Sequence, residues 1–205
     1  MTIRGYILVD VDGTVNTFHV VDHYIIRQMF ENNKLVILCD KLLWHINALD
    51  IISNSMKILK LRILLYSILS FSSFRKNFNQ YGKLYLKASV DELRENYENY
   101  LLRLEEMGYR VRLITHNEFT RVLAREFPIR VLRNKPRYFY TIRDTNDIAY
   151  MIGNNYIDDL RVPMKLGIPT IYIGKGKVVS SLMKKRGKTF SSIMEAVSYI
   201  LQNTT

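Results

Sequence analysis

An α/β fold, with a mostly parallel Rossmann-like sheet core flanked by helices and an inserted α-helical cap, is what the sequence predicts, and three observations carry it. Short apolar runs recur along the chain and stop abruptly at polar or glycine residues, as buried strands do. Helical patterns alternate with them, which calls for helices on both faces of a parallel sheet. One long segment breaks this alternation and reads as helix throughout. With 205 residues, 48% hydrophobic and 24% charged, the chain can bury a sizeable core and is not a disordered polymer.

Taken in order, Gly5-Tyr6-Ile7-Leu8-Val9 is a buried strand ended by the turn Asp10-Val11-Asp12-Gly13-Thr14. From about Phe18 to Lys87 strand alternation is absent and Gly and Pro are scarce, while Leu49, Ile52, Met56, Leu59 and Ile63 recur at helical intervals. Residues 18–87 therefore form the expected insertion, and residues 1–17 with 88–205 the discontinuous core. Ser89-Val90-Asp91-Glu92 fits a capping box with Ser89 as N-cap, followed by Leu93, Tyr97, Leu101 and Leu104 on one face and Gly108 as a stop. Tyr109 to Ile114 is a strand ending at Thr115. Glu118 to Phe127 reads as a helix stopped by Pro128, and Ile129 to Leu132 as a short strand. Ile148–Ile152 and Pro169–Ile173 are two more strands, and Ser192 to Glu195 opens the last helix with a second capping box. In such sheets ligands bind beyond the carboxyl ends of the strands.

The charge is unusual. Thirty Lys+Arg against nineteen Asp+Glu give +11, which favours anionic partners: phosphorylated metabolites, nucleic acid or an acidic membrane surface. The insertion holds ten basic residues against Asp22, Glu31, Asp40 and Asp50, so more than half of the excess lies there. A lone cysteine, Cys39, excludes an internal disulfide and a Cys-rich zinc site, and fits a reducing cytoplasmic setting. Asp10 and Asp12 interrupt the N-terminal apolar run, so no secretory signal is expected. The uncharged stretch Ile63–Phe74 is only 12 residues long, short of the roughly 20 that span a bilayer.

Four clusters could carry chemistry. Asp10 and Asp12 at a strand end face one loop, where one carboxylate can attack phosphorus and the other serve as acid and base; an ordinary acidic turn looks the same. Thr115-His116-Asn117 offers a hydroxyl and helix-start amides to a phosphate, or simply a helix cap. Lys135 before Pro136 is a lone cation that could equally be solvated surface. Gly153-Asn154-Asn155-Tyr156-Ile157-Asp158-Asp159 ends an apolar run in oxygen donors suited to Mg²⁺, or in an Asn/Asp-rich turn. His19 and His23, just after the first cluster, could enter the site from the insertion. Lys175, Lys177, Lys184, Lys185, Arg186 and Lys188 form a basic run that could meet phosphates or water.

As an ordered set these motifs resemble the haloacid dehalogenase (HAD) superfamily, in its phosphatase branch. Asp10 to Thr14 matches the family's DxDGT, Leu113-Ile114-Thr115 its strand ending in Ser/Thr, Lys135-Pro136 its lysine, and Gly153 to Asp159, in part, its acidic loop. The resemblance implies catalytic roles for Asp10 as nucleophile, Asp12 as general acid and base, and Thr115 and Lys135 as holders of the phosphoryl oxygens. It also implies Mg²⁺ on Asp10 and the Asp12 carbonyl, with help from Asn154, Asp158 and Asp159, and an insertion that closes over the substrate. The implied activity is Mg²⁺-dependent hydrolysis of a phosphate monoester, such as a nucleotide or sugar phosphate, through an aspartyl-phosphate. A phosphomutase, or a weakened domain that binds nucleic acid or a protein, are the alternatives. Asn154 stands where the family usually has Asp and supplies a neutral oxygen; Asp159 fits the pattern better than Asp158 by its spacing to Gly167.

Overall fold

The computed structural model describes residues 4–16, 18–47, 56–142, 145, 147–184 and 187–204. Among them six strands form one parallel sheet: β1 (Gly5–Asp10), β2 (Tyr109–Thr115), β3 (Ile129–Val131), β4 (Ile148–Gly153), β5 (Thr170–Ile173) and β6 (Gly187–Phe190), in the order β3-β2-β1-β4-β5-β6. From β1 the chain first builds outward through β2 and β3, then returns to add β4, β5 and β6 on the other side. The order therefore reverses between β1 and β4, the place where open α/β sheets leave a ligand crevice.

Alternate residues of β1 explain the layering. Ile7 and Val9 point into one apolar cluster with Leu113, Ile171, Val197 and Ile200, while Leu8 points into another with Ile114, Met151 and Phe139. A strand covered on both faces needs the uninterrupted apolar run seen in the sequence. The last described helix follows Ser192, whose hydroxyl accepts from the Glu195 N–H at 3.3 Å, while the Glu195 carboxylate reaches back to accept from the Ser191 N–H at 2.9 Å.

Between β1 and β2 lie α1 (Phe18–Met29), α2 (Lys34–Asn47), α3 (Met56–Leu69) and α4 (Phe74–Asn96). They share their own apolar cluster, built on Ile25, Ile26, Val36, Ile63, Tyr66 and Tyr81. Leu49 and Ile52 lie outside the described residues. A buried polar network ties the helices together. Arg62 donates to both oxygens of Asp22 at 2.7 and 2.6 Å, Tyr81 donates to Asp22 at 2.5 Å, and Tyr66 donates to Asp40 at 3.0 Å.

Two local expectations change. Ser89 does not start a helix: it is buried inside α4, which begins after Ser73, whose hydroxyl accepts from the Lys76 N–H. No proline interrupts 74–96, so the earlier cap nucleates the helix and the local Ser-x-x-Glu pattern is overridden. A π-helical turn over Tyr97–Leu101 then leads into α5 (Leu102–Glu106). Residues Glu118–Arg125 wind as a 3₁₀ helix rather than an α-helix. The remaining helices are α6 (Lys135–Tyr140), α7 (Arg161–Lys165), α8 (Lys177–Met183) and α9 (Ile193–Gln202). No helix among the described residues is long and apolar enough to cross a membrane.

Candidate active site

β1 ends at Asp10, β2 at Thr115 and β4 at Gly153, so three carboxyl ends of adjacent strands meet beside the reversal in strand order. After Asp12 the chain must turn at once, and Gly13 does so with φ of 82°, a region costly to any residue with a Cβ. The turn is fastened by the Gly13 N–H donating to Asn16 Oδ1 at 3.1 Å, and by the Thr14 hydroxyl donating to Asp10 Oδ2 at 3.1 Å.

Lys135 opens α6, a helix capped by Asn134 Oδ1 accepting from the Arg137 N–H at 2.8 Å. Far from being solvated, Lys135 is 4% exposed, and its ammonium donates to Asp10 Oδ1 and, at 2.9 Å, to Asp159 Oδ1. Asp159 is in turn held by the Asn155 N–H donating to Oδ2 at 3.0 Å. Gly153 makes this packing possible: a Cβ there would sit 2.5 Å from the Asp159 Cβ and 2.8 Å from its Cγ and Oδ2. The glycine at the end of β4 thus clears the space into which Asp159 leans.

The neighbouring Asp158 turns elsewhere, with Oδ1 3.6 Å from His116 Nε2. Asn154 is buried at the end of β4, beside Gly153. Thus Asp10, Lys135 and Asp159 come into direct contact, beside Asp158. Asp12 faces a second set of partners. Its carboxylate accepts from the Thr115 hydroxyl at 2.7 Å and from the hydroxyl of Tyr85, on α4. Thr115 Oγ1 itself accepts from the Asn117 N–H at 2.8 Å, which fixes its direction. Tyr85 also accepts from Asn16 Nδ2 at 3.3 Å, so an inserted helix touches the first loop twice.

Burial, the Asp159 charge and the Asp12 charge push the Asp10 carboxyl well above the usual carboxylate range, with Lys135 opposing them. Burial also raises Asp159, again against the pull of Lys135. Burial disfavours the Lys135 ammonium, but Asp10 and Asp159 outweigh it and hold the lysine above its ordinary range. Burial and Asp12 push the Tyr85 hydroxyl well up, so the proton of that hydrogen bond stays on the tyrosine. The cluster therefore concentrates negative charge and hard oxygen donors around one lysine. That chemistry fits Mg²⁺, which is commonly held by one or two carboxylates while keeping several waters. Among the described residues no three His, Cys, Asp or Glu side chains converge on a metal by themselves. An ion here would draw on main-chain oxygen and water as well.

Tyr85 carries no motif that points to Asp12; it sits 73 residues away, inside the insertion, and only the folding of α4 over the loop brings it close. His23 is engaged within the insertion, its Nδ1 2.6 Å from Asp40 Oδ2, and the His19 side chain lies outside the described residues. The basic run stays near the β5–β6 edge: Lys188 lies over the Tyr199 ring at 5.7 Å, while Lys185 and Arg186 lie outside the described residues. A cavity of about 460 Å³ adjoins the first loop, lined by Gly13, Asn16, Glu92, Asn96, Ser191 and Met194 among others.

No protein-family model and no curated protein matches the sequence. The structure does find likeness. YfnB from Bacillus subtilis, a protein assigned as a HAD-hydrolase and solved bound to magnesium, superposes with a TM-score of 0.61 over 98% of this chain and 100% of that one, at 15% identity. The chain has the HAD fold. Two looser superpositions are a haloacid dehalogenase-like hydrolase from Xanthomonas campestris (TM-score 0.48, 16% identity, 98% and 92% covered) and a 2-haloacid dehalogenase from Pseudomonas syringae pv. Tomato (0.46, 13%, 98% and 99%). In this HAD-fold protein the carboxylate cluster occupies the strand ends where the sheet order reverses.

Proposed function

We propose that the protein hydrolyses a phosphate monoester through an aspartyl-phosphate on Asp10. The observation that carries this reading is the clamp of Lys135 on Asp10 and Asp159, with Asp12 two residues away and separately held by Thr115 and Tyr85. Two carboxylates in such different settings suit two tasks. Asp10 Oδ attacks phosphorus, forming the acyl-phosphate bond as the ester P–O bond breaks. Asp12 gives its proton to the departing oxygen. It then takes one from a water that attacks the same phosphorus, releasing inorganic phosphate and restoring Asp10.

Lys135 and the Thr115 hydroxyl hold the phosphoryl oxygens and meet the charge that builds on them, arriving already oriented because both are buried and hydrogen-bonded. Asp10, Asp159 and the Asp12 main-chain carbonyl would hold Mg²⁺, which when bound neutralises phosphoryl charge and lowers the carboxylates' mutual repulsion. Residues 18–87, which hold α1 to α3 and the first part of α4, act as the cap that covers the site and selects the substrate; their positive charge favours an anionic one, such as a nucleotide or sugar phosphate. The test is hydrolysis of an aryl phosphate with Mg²⁺ and with EDTA. Turnover that needs Mg²⁺ and disappears in Asp10→Asn supports the reading. Metal-independent turnover, or turnover retained in Asp10→Asn, refutes it.

A further inference from the structure

The outer faces of α2 and α3 carry large apolar side chains, with a few lysines, where a solvated helix would be mostly polar. Among the described side chains the exposed positions are 34, 35, 38, 41 and 42 on α2 and 57, 58, 61, 64, 65 and 68 on α3, one helical face in each case. Leu38 and Leu42 on α2 and Leu61, Leu65 and Ile68 on α3 stand in solvent, with Leu61 66% and Ile68 63% exposed. On its opposite side α3 buries Leu59, Ile63 and Tyr66 in the core of the insertion. Apolar residues on both sides of a helix are ordinarily buried on both sides, and among the described residues only one side of α3 is packed. Of the sixteen large apolar side chains exposed among the described residues, nine lie on α2, α3 and the turn after them. Isolated exposed leucines need no explanation, but a concentration of this kind marks an interaction surface.

The turn after α3 adds a separate observation. Phe71 is the one non-glycine among the described residues with positive φ, 51°, and its side chain is 99% exposed. A bulky residue in the left-handed region carries a backbone cost, and among the described residues no packing of its side chain offsets it. The turn thus leaves an aromatic ring in solvent three residues beyond Ile68, the last exposed apolar position of α3.

Among the described residues cations outnumber acids beside this face: Glu31 is exposed near its end, and Glu118 pairs with Lys60 of α3 at 2.8 Å. Lys34 and Lys41 on α2, Lys57 on α3, and Arg75 and Lys76 at the start of α4 are exposed. The sole acid of α2, Asp40, is buried, and α3 has none. We infer that this face docks the protein peripherally on an anionic lipid surface, with the leucines and Phe71 entering the headgroup boundary and the lysines meeting lipid phosphates and carboxylates. Apolar side chains rimmed by cations are the chemistry such a surface recognises. A second copy of the chain meets this face less well, because it would bring the same cations together. The surface is independent of the carboxylate cluster and of what that cluster does.

The experiment is flotation of the full chain with vesicles of phosphatidylcholine alone and of phosphatidylcholine mixed with phosphatidylserine, across a salt series. The expected result is binding to the anionic vesicles that weakens with salt, with little binding to the neutral ones. The exposed triple variant Leu38→Glu/Leu61→Glu/Ile68→Glu should bind about tenfold or more weakly while keeping its circular dichroism spectrum. Lys34→Glu/Lys41→Glu should weaken it in the same direction. Absence of binding to anionic vesicles overturns the proposal, as does equal binding to both kinds or binding unchanged in the triple variant. Self-association that the triple variant abolishes, with no vesicle binding, also overturns it and gives the face to a second copy.

Discussion

Adding one methyl group at Gly153 should loosen the clamp beneath the carboxylates. The new Cβ would lie 2.5 Å from the Asp159 Cβ and 2.8 Å from its Cγ and Oδ2, whereas carbon atoms rest at about 3.5–4.0 Å. Asp159 must therefore retreat by about 1 Å, which takes its 2.9 Å bond to Lys135 past the hydrogen-bond limit of about 3.2 Å. Overpacking of this kind costs about 1–3 kcal/mol, and separating a buried ion pair approaches about 3–5 kcal/mol when complete. A partial separation puts Gly153→Ala at about 2–4 kcal/mol. Gly167→Ala is the internal control: it sits at φ of 77° with nothing within 4 Å of the new Cβ, so only backbone strain of about 1–2 kcal/mol applies. Urea unfolding with unchanged m values measures both. If Gly153→Ala falls within about 0.5 kcal/mol of the parent, the packing of Asp159 against β4 does not secure the clamp.

Because burial raises Asp10 and Asp159, the native protein holds protons that the unfolded chain releases above about pH 4. The contribution of these two groups to metal-free stability should therefore be present at acid pH and be lost as pH rises through their raised values, and Asp10→Asn should make that loss shallower; an unchanged slope in EDTA would contradict the burial argument. Arg62→Met leaves Asp22 buried without its cation, while Asp40 keeps His23 and Tyr66, and should cost about 3–5 kcal/mol in urea unfolding, against less than about 1 kcal/mol if the network is dispensable. Tyr85→Phe removes a hydroxyl that donates to Asp12, and should lower kcat on an aryl phosphate about 10- to 100-fold with a smaller change in KM; an unchanged kcat would remove Tyr85 as a positioning residue.

Much of this architecture is written locally. The run Gly5–Val9 can be nothing but a strand covered on both faces, and the polar residues that end β1, β2 and β4 mark where ligands gather. Asp10, Lys135 and Asp159 are legible as candidates from their places after strands, though Lys135 alone looks like surface. What sequence cannot carry is convergence over distance. The spacing to Gly167 already favours Asp159 over Asp158, but the space that Gly153 leaves for it is visible only in the fold, and Tyr85 reaches Asp12 with Phe119 packed where a Cβ at Gly82 would stand, seating α4 against the core. β6 escapes notice because Gly187–Phe190 is a half-exposed edge strand with no apolar run. Ser89 misleads because a capping box is a preference of about 1 kcal/mol, and a helix already propagating from Ser73 outweighs it.

The most direct test of the central claim is the covalent state of Asp10 during turnover. Intact-protein mass spectrometry after acid quench, with an aryl phosphate and Mg²⁺, should find the chain heavier by one phosphoryl group and peptide mapping should place it on Asp10. Asp12→Asn, which lacks the base that activates water, should accumulate more of the adduct. Turnover with no phosphorylated chain in either protein, or a phosphoryl group on any other residue, would contradict the account.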